Sequence, residues 1–312
     1  MEKSGITVLG IFVADATFRS SRLPRVGETL LGSGFALGPG GKGSNQAIAA
    51  GRAAAGRMPV RFVTRLGDDA FADMAARVWA QAGVSLAGQR HGDLATGAAG
   101  IFVLEESGDN AIVVAPGAGG TIDETDIERT RELIEGSAAF VCELEQPLAP
   151  ARAGLRVARA AGTITVFNPA PAPEPGTLED AVLADCDYIT PNETEAEALT
   201  GIAVASLDDA RRAGDALLER GVGTAVLTLG ARGALVHGAA VSEHVPAFDA
   251  GAATDTVGAG DAFNGAFAVA LAEGRDAVEA ARFGCASASI SVTRPGATAS
   301  PSRAEIDALL EA

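Results

Sequence analysis

Short apolar runs alternate with amphipathic segments along most of the chain. The apolar runs have the length of strands, whereas the amphipathic segments repeat apolar residues at helical spacing. The predicted strands are ITVLGIFVADATF, VRFVTRLG, AAFVCELE, TITVFNPAP, DYITPN and TAVLTLG. The predicted helices are SNQAIAAGRAAA, DDAFADMAARVWAQAG, APARAGLRVARAAG and DDARRAGDALLERG. Because this alternation builds βαβ units, it predicts an α/β fold in which helices cover both faces of a mostly parallel sheet.

Two segments, residues 16–37 and 93–117, break the alternation because they contain no helical pattern. In the second segment, two β-rich runs flank EESGDN, which is typical of a hairpin turn. We therefore expect a single α/β domain over residues 1–312, into which a small, mostly antiparallel sheet is inserted. Such a sheet beside a cleft serves as a lid, as a dimer surface or as both. The alternative is a decorated edge of the main sheet.

Charge and composition exclude several classes of partner. The formal net charge is −16, and no cluster of lysine and arginine appears. We therefore expect neither nucleic-acid binding nor adhesion to anionic membranes. Any anionic ligand must be bound by a local group of hydrogen-bond donors or positive charges. The N-terminus shows no signal peptide, no segment is apolar enough to span a membrane, and the three histidines have no zinc-binding spacing. Three widely spaced cysteines indicate reduced, buried thiols and a cytoplasmic protein: Cys142, Cys186 and Cys285.

The stretch DTVGAGDAFNG places a carboxylate where a glycine-rich turn leads into an apolar helix. A helix N-terminus carries unpaired N–H groups and a partial positive charge, and glycines let this backbone approach a ligand closely. Gly258, Ala259 and Gly260 therefore predict an anion hole that can hold phosphate oxygens. Asp261 beside it can take the proton of an attacking hydroxyl. The alternative is that Asp261 only caps the helix.

A second glycine-rich stretch is GPGGKGSNQA, residues 38–47. It contains GxGxxG, but no clear parallel strand leads into it and no acidic residue follows at the Rossmann distance, so we do not expect a dinucleotide-dependent dehydrogenase. It is not a phosphate-binding Walker loop either, because Lys42 is followed by Gly43. Lys42 and Asn45 remain as polar groups that can hold hydroxyls. The alternative is a glycine-rich helix start without a ligand.

The third stretch, ITPNETEAEALTG, follows a predicted strand, which is where α/β sheets bind ligands. Asn192 and Glu195 can organise water molecules around Mg²⁺, which keeps much of its hydration shell. The alternative is that the glutamates only form the acidic first turns of a helix.

With these motifs in place, the sequence resembles the ribokinase family of sugar kinases over nearly its whole length. The resemblance rests on GGKGSNQAIAAGR, DTVGAGDAFNGAF, FNPAP and TPNETEAEALTG, which occur in the family's order. It implies a three-layer α/β/α domain with a β-sheet lid. It also implies an ATP-dependent transfer of phosphate to a sugar, with Mg²⁺ and K⁺ as cofactors. The apolar face of AIVVA in the second segment needs cover, so we also expect a homodimer formed through the lid.

The resemblance also implies roles for individual residues. Asp261 is the expected base, and the backbone of Gly258, Ala259 and Gly260 is the expected anion hole. The expected sugar contacts are Asp15, Gly41, Lys42, Asn45, Glu145 and Asp261. The expected nucleotide contacts are Asn192, Thr228, Gly230 and Gly260, with Glu195 holding Mg²⁺ through water. The expected K⁺ ligands are Asp255, the hydroxyl of Ser300 and the carbonyls of Val257, Ser291, Arg294 and Gly296.

One position departs from the family pattern. Where ribokinases usually carry an asparagine that contacts ribose, this chain has Val13, within GIFVAD. Loss of a buried hydrogen bond costs roughly 1–3 kcal/mol, so the substitution points to another pentose, a hexose or a nucleoside as alternative substrates. The other interpretation is a tolerated change in a strand. A further alternative, from a different class, is a sugar sensor without catalytic activity, although a sensor has no need of Asp261.

Overall fold

The computed structural model describes residues 3–312, and two sheets dominate this part of the chain. The large sheet has nine strands: β1 (Ile6–Leu9), β4 (Val60–Val63), β6 (Val84–Leu86), β10 (Ala139–Cys142), β11 (Ile164–Phe167), β12 (Tyr188–Ile189), β13 (Thr224–Thr228), β14 (Ala234–Gly238) and β15 (Val241–Val245). Their spatial order is β15-β14-β13-β12-β11-β10-β1-β4-β6. All neighbouring pairs from β6 to β13 are parallel, and β14 and β15 continue the sheet antiparallel.

Helices connect the parallel strands, as the alternating pattern predicts. They are α1 (Lys42–Ala54), α2 (Ala70–Ala82), α3 (Glu124–Arg129), α4 (Arg131–Gly136), α5 (Leu148–Ala161), α6 (Asp180–Leu183), α7 (Glu193–Thr200), α8 (Leu207–Glu219), α9 (Ala259–Ala272), α10 (Ala277–Ser291) and α11 (Arg303–Glu311). Short 3-10 helices span Ala118–Thr121 and Gly230–Arg232. Two apolar clusters of buried residues pack against the large sheet, one containing α1, α9 and α10 and the other containing α5 and α8. The predicted mostly parallel α/β fold is therefore confirmed.

The small sheet has four strands: β2 (Val13–Ser20), β3 (Gly34–Gly40), β8 (Thr96–Leu104) and β9 (Asn110–Gly117). Strands β2 and β3, and likewise β8 and β9, pair antiparallel, whereas β2 and β8 pair parallel. The hairpin expected at EESGDN joins β8 to β9. A separate two-stranded ribbon consists of β5 (Arg65–Gly67) and β7 (Gln89–His91).

The prediction of one continuous strand in ITVLGIFVADATF is wrong, because the chain forms two strands that belong to different sheets. Strand β1 ends at Leu9, and β2 begins at Val13. Gly10 lies at the break, and a Cβ atom there would lie 2.4 Å from Oε1 of Glu143 and 2.7 Å from the Cα atom of Gly43. The chain thus passes through a gap that only glycine fits, and then enters the small sheet.

Helices α1 and α9 cross at very short distance because the contact surfaces carry small residues. A Cβ atom on Gly265 of α9 would lie 2.5 Å from the carbonyl oxygen of Gln46 and 2.6 Å from the Cβ atom of Ala49. This crossing brings the glycine-rich stretch at residues 38–47 next to the GAGD stretch, although the two lie far apart in the sequence.

Among residues 3–312, no helix combines the length and the apolar content that crossing a bilayer requires.

Candidate active site

No side chain caps the first turn of α9, and this turn is preceded by a tightly packed glycine. Gly258 is the N-cap residue, has a φ of 77°, and makes no side-chain capping bond. A Cβ atom on Gly258 would lie 2.2 Å from the carbonyl oxygen of Ala297, whereas one on Gly260 would have no neighbour within 4 Å. Gly258 therefore fits tightly against the 297 loop, and the backbone at Gly260 stays open to a ligand. The N–H of Ala259 donates to the carbonyl oxygen of Thr256 at 3.3 Å, and the other N–H groups of this turn form the kind of site that binds anions.

Asp261 lies in the first helical turn and does not cap the helix. Its side chain is 6% exposed. Its Oδ2 accepts a hydrogen bond from Nδ2 of Asn45 at 3.0 Å, and its Oδ1 accepts one from Nε2 of Gln46 at 3.1 Å. Burial raises the pKa of Asp261, while Lys42 and the two amide donors oppose that rise. The result is a buried carboxylate with lone pairs to spare, a geometry that permits proton transfer.

Lys42 begins α1 within a group of carboxylates. Its backbone N–H donates to Oε2 of Glu145 at 2.7 Å, and the N–H of Glu145 donates in turn to Oε2 of Glu143. Burial lowers the pKa of the Lys42 ammonium, but the surrounding carboxylates outweigh it and raise that pKa overall. Burial raises the pKa of Glu145 and raises that of the fully buried Glu143 well above its ordinary range. The lysine is thus kept charged, and it partly offsets the negative charge of the site.

Asp15 projects from β2 next to Gly40, where a Cβ atom would lie 2.1 Å from the Asp15 carboxylate. Burial raises the pKa of Asp15 to about 6, and its charge adds to the rise at Glu145. Gly41 has a φ of 87° and is the N-cap of α1. The predicted sugar contacts therefore form one group around the start of α1, beneath the first strand of the small sheet.

A cavity of about 550 Å³ opens beside this group. Of the predicted residues, those that line it are Lys42, Asn192, Glu195, Thr228, Gly230, Gly258, Ala259, Gly260 and Asp261. Its lining also includes apolar residues, among them Phe248, Ala253, Ala288 and Val292. The expected anion hole and the predicted nucleotide contacts thus share one cavity, and the apolar part of its lining suits a flat aromatic base.

Asn192 and Glu195 are paired in a capping box at the start of α7. Each side chain accepts a hydrogen bond of 2.9 Å from the other's backbone N–H. Burial raises the pKa of Glu195 to about 7. The alternative of a helix start is therefore realised, yet both residues also line the cavity. Oε1 of Glu195 and Nδ2 of Asn192 take no part in the box.

The predicted K⁺ ligands lie outside the cavity lining, on two neighbouring loops and, for Ser291, at the end of α10. The Asp255 carboxylate joins these loops, because Oδ1 accepts from the N–H of Val257 at 3.0 Å and Oδ2 accepts from that of Gly296 at 2.9 Å. Ser300 lies on the far side, where Nη1 of Arg52 is 2.7 Å from its carbonyl oxygen and 3.3 Å from its hydroxyl. Asp255 is thus positioned to fix the loop that packs against Gly258.

Several polar residues of the site were not predicted from the sequence. Gln46, Asn168, Thr190 and Asn264 form hydrogen bonds with one another and with the first turn of α9. Gln46 and Asn264 lie within the two glycine-rich stretches and Asn168 within FNPAP, so their position in quoted motifs was an available signal. The sequence alone does not show that these four residues lie close together in the folded chain.

Comparison with known proteins agrees with this geometry. A profile described as pfkB family carbohydrate kinase matches residues 3–304. A ribokinase from Haemophilus influenzae is 38% identical over 308 residues, 98% of each chain, and a deoxyribokinase from Salmonella typhi is 34% identical over 296 residues, 95% of this chain and 94% of its own. The structure of Arabidopsis thaliana ribokinase complexed with ribose and ATP has a TM-score of 0.90 at 27% identity, covering 100% of both chains. The chain therefore belongs to the pfkB family of carbohydrate kinases and is a sugar kinase of the ribokinase type.

Proposed function

We propose that the protein transfers the γ-phosphate of ATP to a hydroxyl of D-ribose, giving D-ribose 5-phosphate and ADP. The observation that carries this proposal is the buried carboxylate of Asp261 next to the N-terminus of α9, which no side chain caps, in the lining of the cavity. The test is to incubate the pure protein with ATP, Mg²⁺, K⁺ and a panel of sugars and nucleosides. Formation of no phosphorylated product would favour the sugar-sensor alternative.

In this mechanism Asp261 accepts the proton of the attacking sugar hydroxyl. The hydroxyl oxygen bonds to the γ-phosphorus while the bond between the γ-phosphorus and ADP breaks. The backbone N–H groups at Gly258, Ala259 and Gly260 hold the phosphate oxygens on which negative charge is spread. Lys42, kept charged by its carboxylate neighbours, adds a positive charge on the same side. Asp15, Gly41, Asn45 and Glu145 hold the remaining sugar hydroxyls, and Thr228 and Gly230 contact the nucleotide.

Mg²⁺ fits the proposed nucleotide end of the cavity. Glu195 is buried and lines the cavity with one oxygen outside its capping box, which suits a contact through water. When bound, Mg²⁺ neutralises charge on the phosphates. Asn192 and Glu195 would hold its water molecules in place.

K⁺ fits the two loops joined by Asp255. Its proposed ligands are one carboxylate, several backbone carbonyls and a hydroxyl, a set of oxygens of the kind that replaces the hydration shell of K⁺. The ion would act by fixing the conformation of the loop that carries Gly296 and Ala297. Asp255 accepts a hydrogen bond from Gly296, and Ala297 contacts Gly258.

Activity should therefore rise when K⁺ is added to dialysed enzyme in Tris buffer. The measurement is the initial rate against K⁺ concentration, for the wild type and for Asp255→Asn. The substitution removes the charge and one of the two N–H acceptors that join the loops, so the variant should respond less to K⁺. Equal wild-type rates with and without K⁺ would rule out an activating ion.

The identity of the sugar depends on Val13. This side chain is 3% exposed and belongs to the same apolar cluster as Ile11 and Ala99. Val13 and Asp15 point to the same face of β2, because side chains alternate along a strand. Val13 therefore presents methyl groups where Asp15 presents a carboxylate. A sugar that lacks one hydroxyl avoids facing them, and the deoxyribokinase relative makes deoxyribose the first alternative to test.

On the alternative in which Val13 selects another substrate, the wild type should turn over D-ribose detectably but poorly, and at least one other sugar or nucleoside in the panel faster. Val13→Asn should raise kcat/KM for ribose relative to that substrate by about tenfold, the value of one hydrogen bond. Val13→Ala, which removes methyl groups without adding a polar group, serves as the control and should not favour ribose. If ribose is the best wild-type substrate and Val13→Asn brings no gain, position 13 does not set specificity.

The small sheet is proposed as a lid over the sugar and as the contact surface of a homodimer. Its outward side chains include Phe18, Phe35, Leu37 and Val113, which are 42%, 62%, 43% and 71% exposed. These belong to the same face by the pairing of the strands. An apolar face of this kind needs cover, and the same face of a second copy supplies it with twofold symmetry.

Light scattering at micromolar concentration should therefore give the mass of a dimer. Phe35→Asp should shift the protein toward the monomer, because it places a charge in the contact. Leu86→Asp, at an exposed position on the edge strand β6 of the large sheet, is the matched control and should leave the dimer intact. A wild-type monomer would remove the dimer from the proposal.

A cytoplasmic location completes the proposal. It is supported by the three free cysteines, Cys142, Cys186 and Cys285, all of which are buried.

A further inference from the structure

A chain of hydrogen bonds leaves the Asp261 carboxylate and returns to the same helical turn. Nε2 of Gln46 donates to Oδ1 of Asp261 at 3.1 Å and to Oδ1 of Asn168 at 3.0 Å. Nδ2 of Asn168 donates to the carbonyl oxygen of Thr190 at 3.0 Å. The hydroxyl of Thr190 donates to Oδ1 of Asn264 at 2.6 Å.

The last hydrogen bond returns to the first turn of α9. Nδ2 of Asn264 donates to the carbonyl oxygen of Gly260 at 2.9 Å, one residue before Asp261. We call Gln46, Asn168, Thr190 and Asn264 the polar ring. We infer that the polar ring, through Gln46, is a positioning device that always presents an N–H donor to Oδ1 of Asp261 and so holds this carboxylate ionised and oriented for proton transfer. This inference rests on the proposed role of Asp261.

The direction of every bond in the polar ring is fixed by backbone carbonyls. The carbonyl oxygen of Thr190 can only accept, so Asn168 must offer it Nδ2 and therefore turns Oδ1 toward Gln46. Gln46 must then offer Nε2, and the second hydrogen of this amide points at Asp261. On the other branch, the carbonyl of Gly260 fixes Asn264 in the same way. A side-chain amide normally has two orientations, and here only one satisfies its partners.

Gln46 is separated from the cavity. Its side chain has no exposure, and it is absent from the cavity lining, whereas Asn168, Thr190 and Asn264 contribute to that lining. Loss of Gln46 should therefore act on Asp261 without removing a contact to sugar or nucleotide. Asn45, the other donor to Asp261, lacks this property because it is a proposed sugar contact.

Several charged groups act on the same carboxylate. Lys42 lies on α1 and lowers the pKa of Asp261, as do the donors Asn45 and Gln46. Glu143 and Glu145, after β10, and Glu195, on α7, are the acidic groups whose own ionisation is linked to Asp261. Of the four carboxylates, only Asp261 accepts a hydrogen bond from Gln46. A change at Gln46 thus reports selectively on Asp261.

The test is the pH dependence of kcat and kcat/KM for D-ribose with ATP in the wild type and in Gln46→Met. Removing a donor to the charged form raises the pKa of Asp261, so the acidic limb should move up by about one pH unit. Below that limb kcat should fall about tenfold, while KM for ribose and for ATP stays within about twofold. Gln146→Met is the matched control, because Gln146 is a buried glutamine that donates to the Glu143 carbonyl and not to Asp261.

Gln46→Glu provides a second, nearly isosteric variant that should move the limb in the same direction. An unmoved limb in both variants, or an equal loss at every pH, would overturn the inference and leave a purely structural role. Failure of both variants to fold would overturn it as well. Absence of wild-type activity, or full activity in Asp261→Asn, would instead refute the proposed function itself, so the two failures are distinguishable.

Discussion

Replacing Asp261 with asparagine should lower turnover by ~10²–10⁴-fold or more while leaving the fold intact. The amide has nearly the shape of the carboxylate but cannot accept the proton of the attacking hydroxyl. Because Oδ2 of Asp261 accepts from Asn45, the carbonyl oxygen of the substituted side chain can keep one of the two hydrogen bonds. Initial rates at saturating sugar and ATP measure the effect, and circular dichroism checks the fold.

The matched control is Asp276→Asn. Asp276 precedes α10 and caps it by accepting from the N–H groups of Val278 and Glu279, and asparagine caps helices equally well. Its activity should equal that of the wild type. If a folded Asp261→Asn enzyme keeps more than about a tenth of the wild-type rate, Asp261 is not the base.

Gly258→Ala should have the second-largest effect, a loss in kcat of about 100-fold together with a lower melting temperature. The added Cβ atom would lie 2.2 Å from the carbonyl oxygen of Ala297, so either the 297 loop or the first turn of α9 must move. Movement of the first turn would misalign the N–H groups that are proposed to hold the phosphate. The measurements are kcat and thermal unfolding of the purified variant.

Gly274→Ala separates this clash from the backbone strain of alanine. Gly274 has a φ of 84°, close to the 77° of Gly258, but a Cβ atom there meets nothing within 4 Å. The control should lose about 1–2 kcal/mol of stability and no activity. Equal kcat values in the two variants would show that the packing of Gly258 on Ala297 is unimportant for turnover.

The sequence predicted the fold well because its signals are local. Period and length distinguish the strands from the helices, and the turn EESGDN indicates the hairpin. The prediction failed at Gly10, where an apolar run continues from Leu9 to Val13 although the chain changes sheets. Hydrophobic periodicity cannot detect this break, because both strands are buried there and the cause is contact with Glu143, a residue far away in the sequence.

The candidate site was predictable only in part, for the same reason. The glycines and the aspartate of the GAGD stretch are adjacent in the sequence, so a helix N-terminus with a carboxylate is predictable from the sequence. The partners of Asp261 are not visible, because Gln46 and Asn45 reach it only through the crossing of α1 and α9. Likewise, the sequence left Asn192 and Glu195 as either a helix start or metal-associated residues, and the capping box realises the first while the second remains a proposal.

The tight crossing at Gly265 has a consequence for how such an enzyme diversifies. It locks the proposed base and its donors into one rigid unit, whereas Val13 and Asp15 are carried on the small sheet. The proposed roles would make substrate preference partly separable from phosphoryl chemistry. Val13 and Asp15 can change on the small sheet, whereas the other proposed sugar contacts stay with the base. A laboratory evolution experiment that varies only the inner face of this sheet should yield new sugar preferences at little cost in turnover.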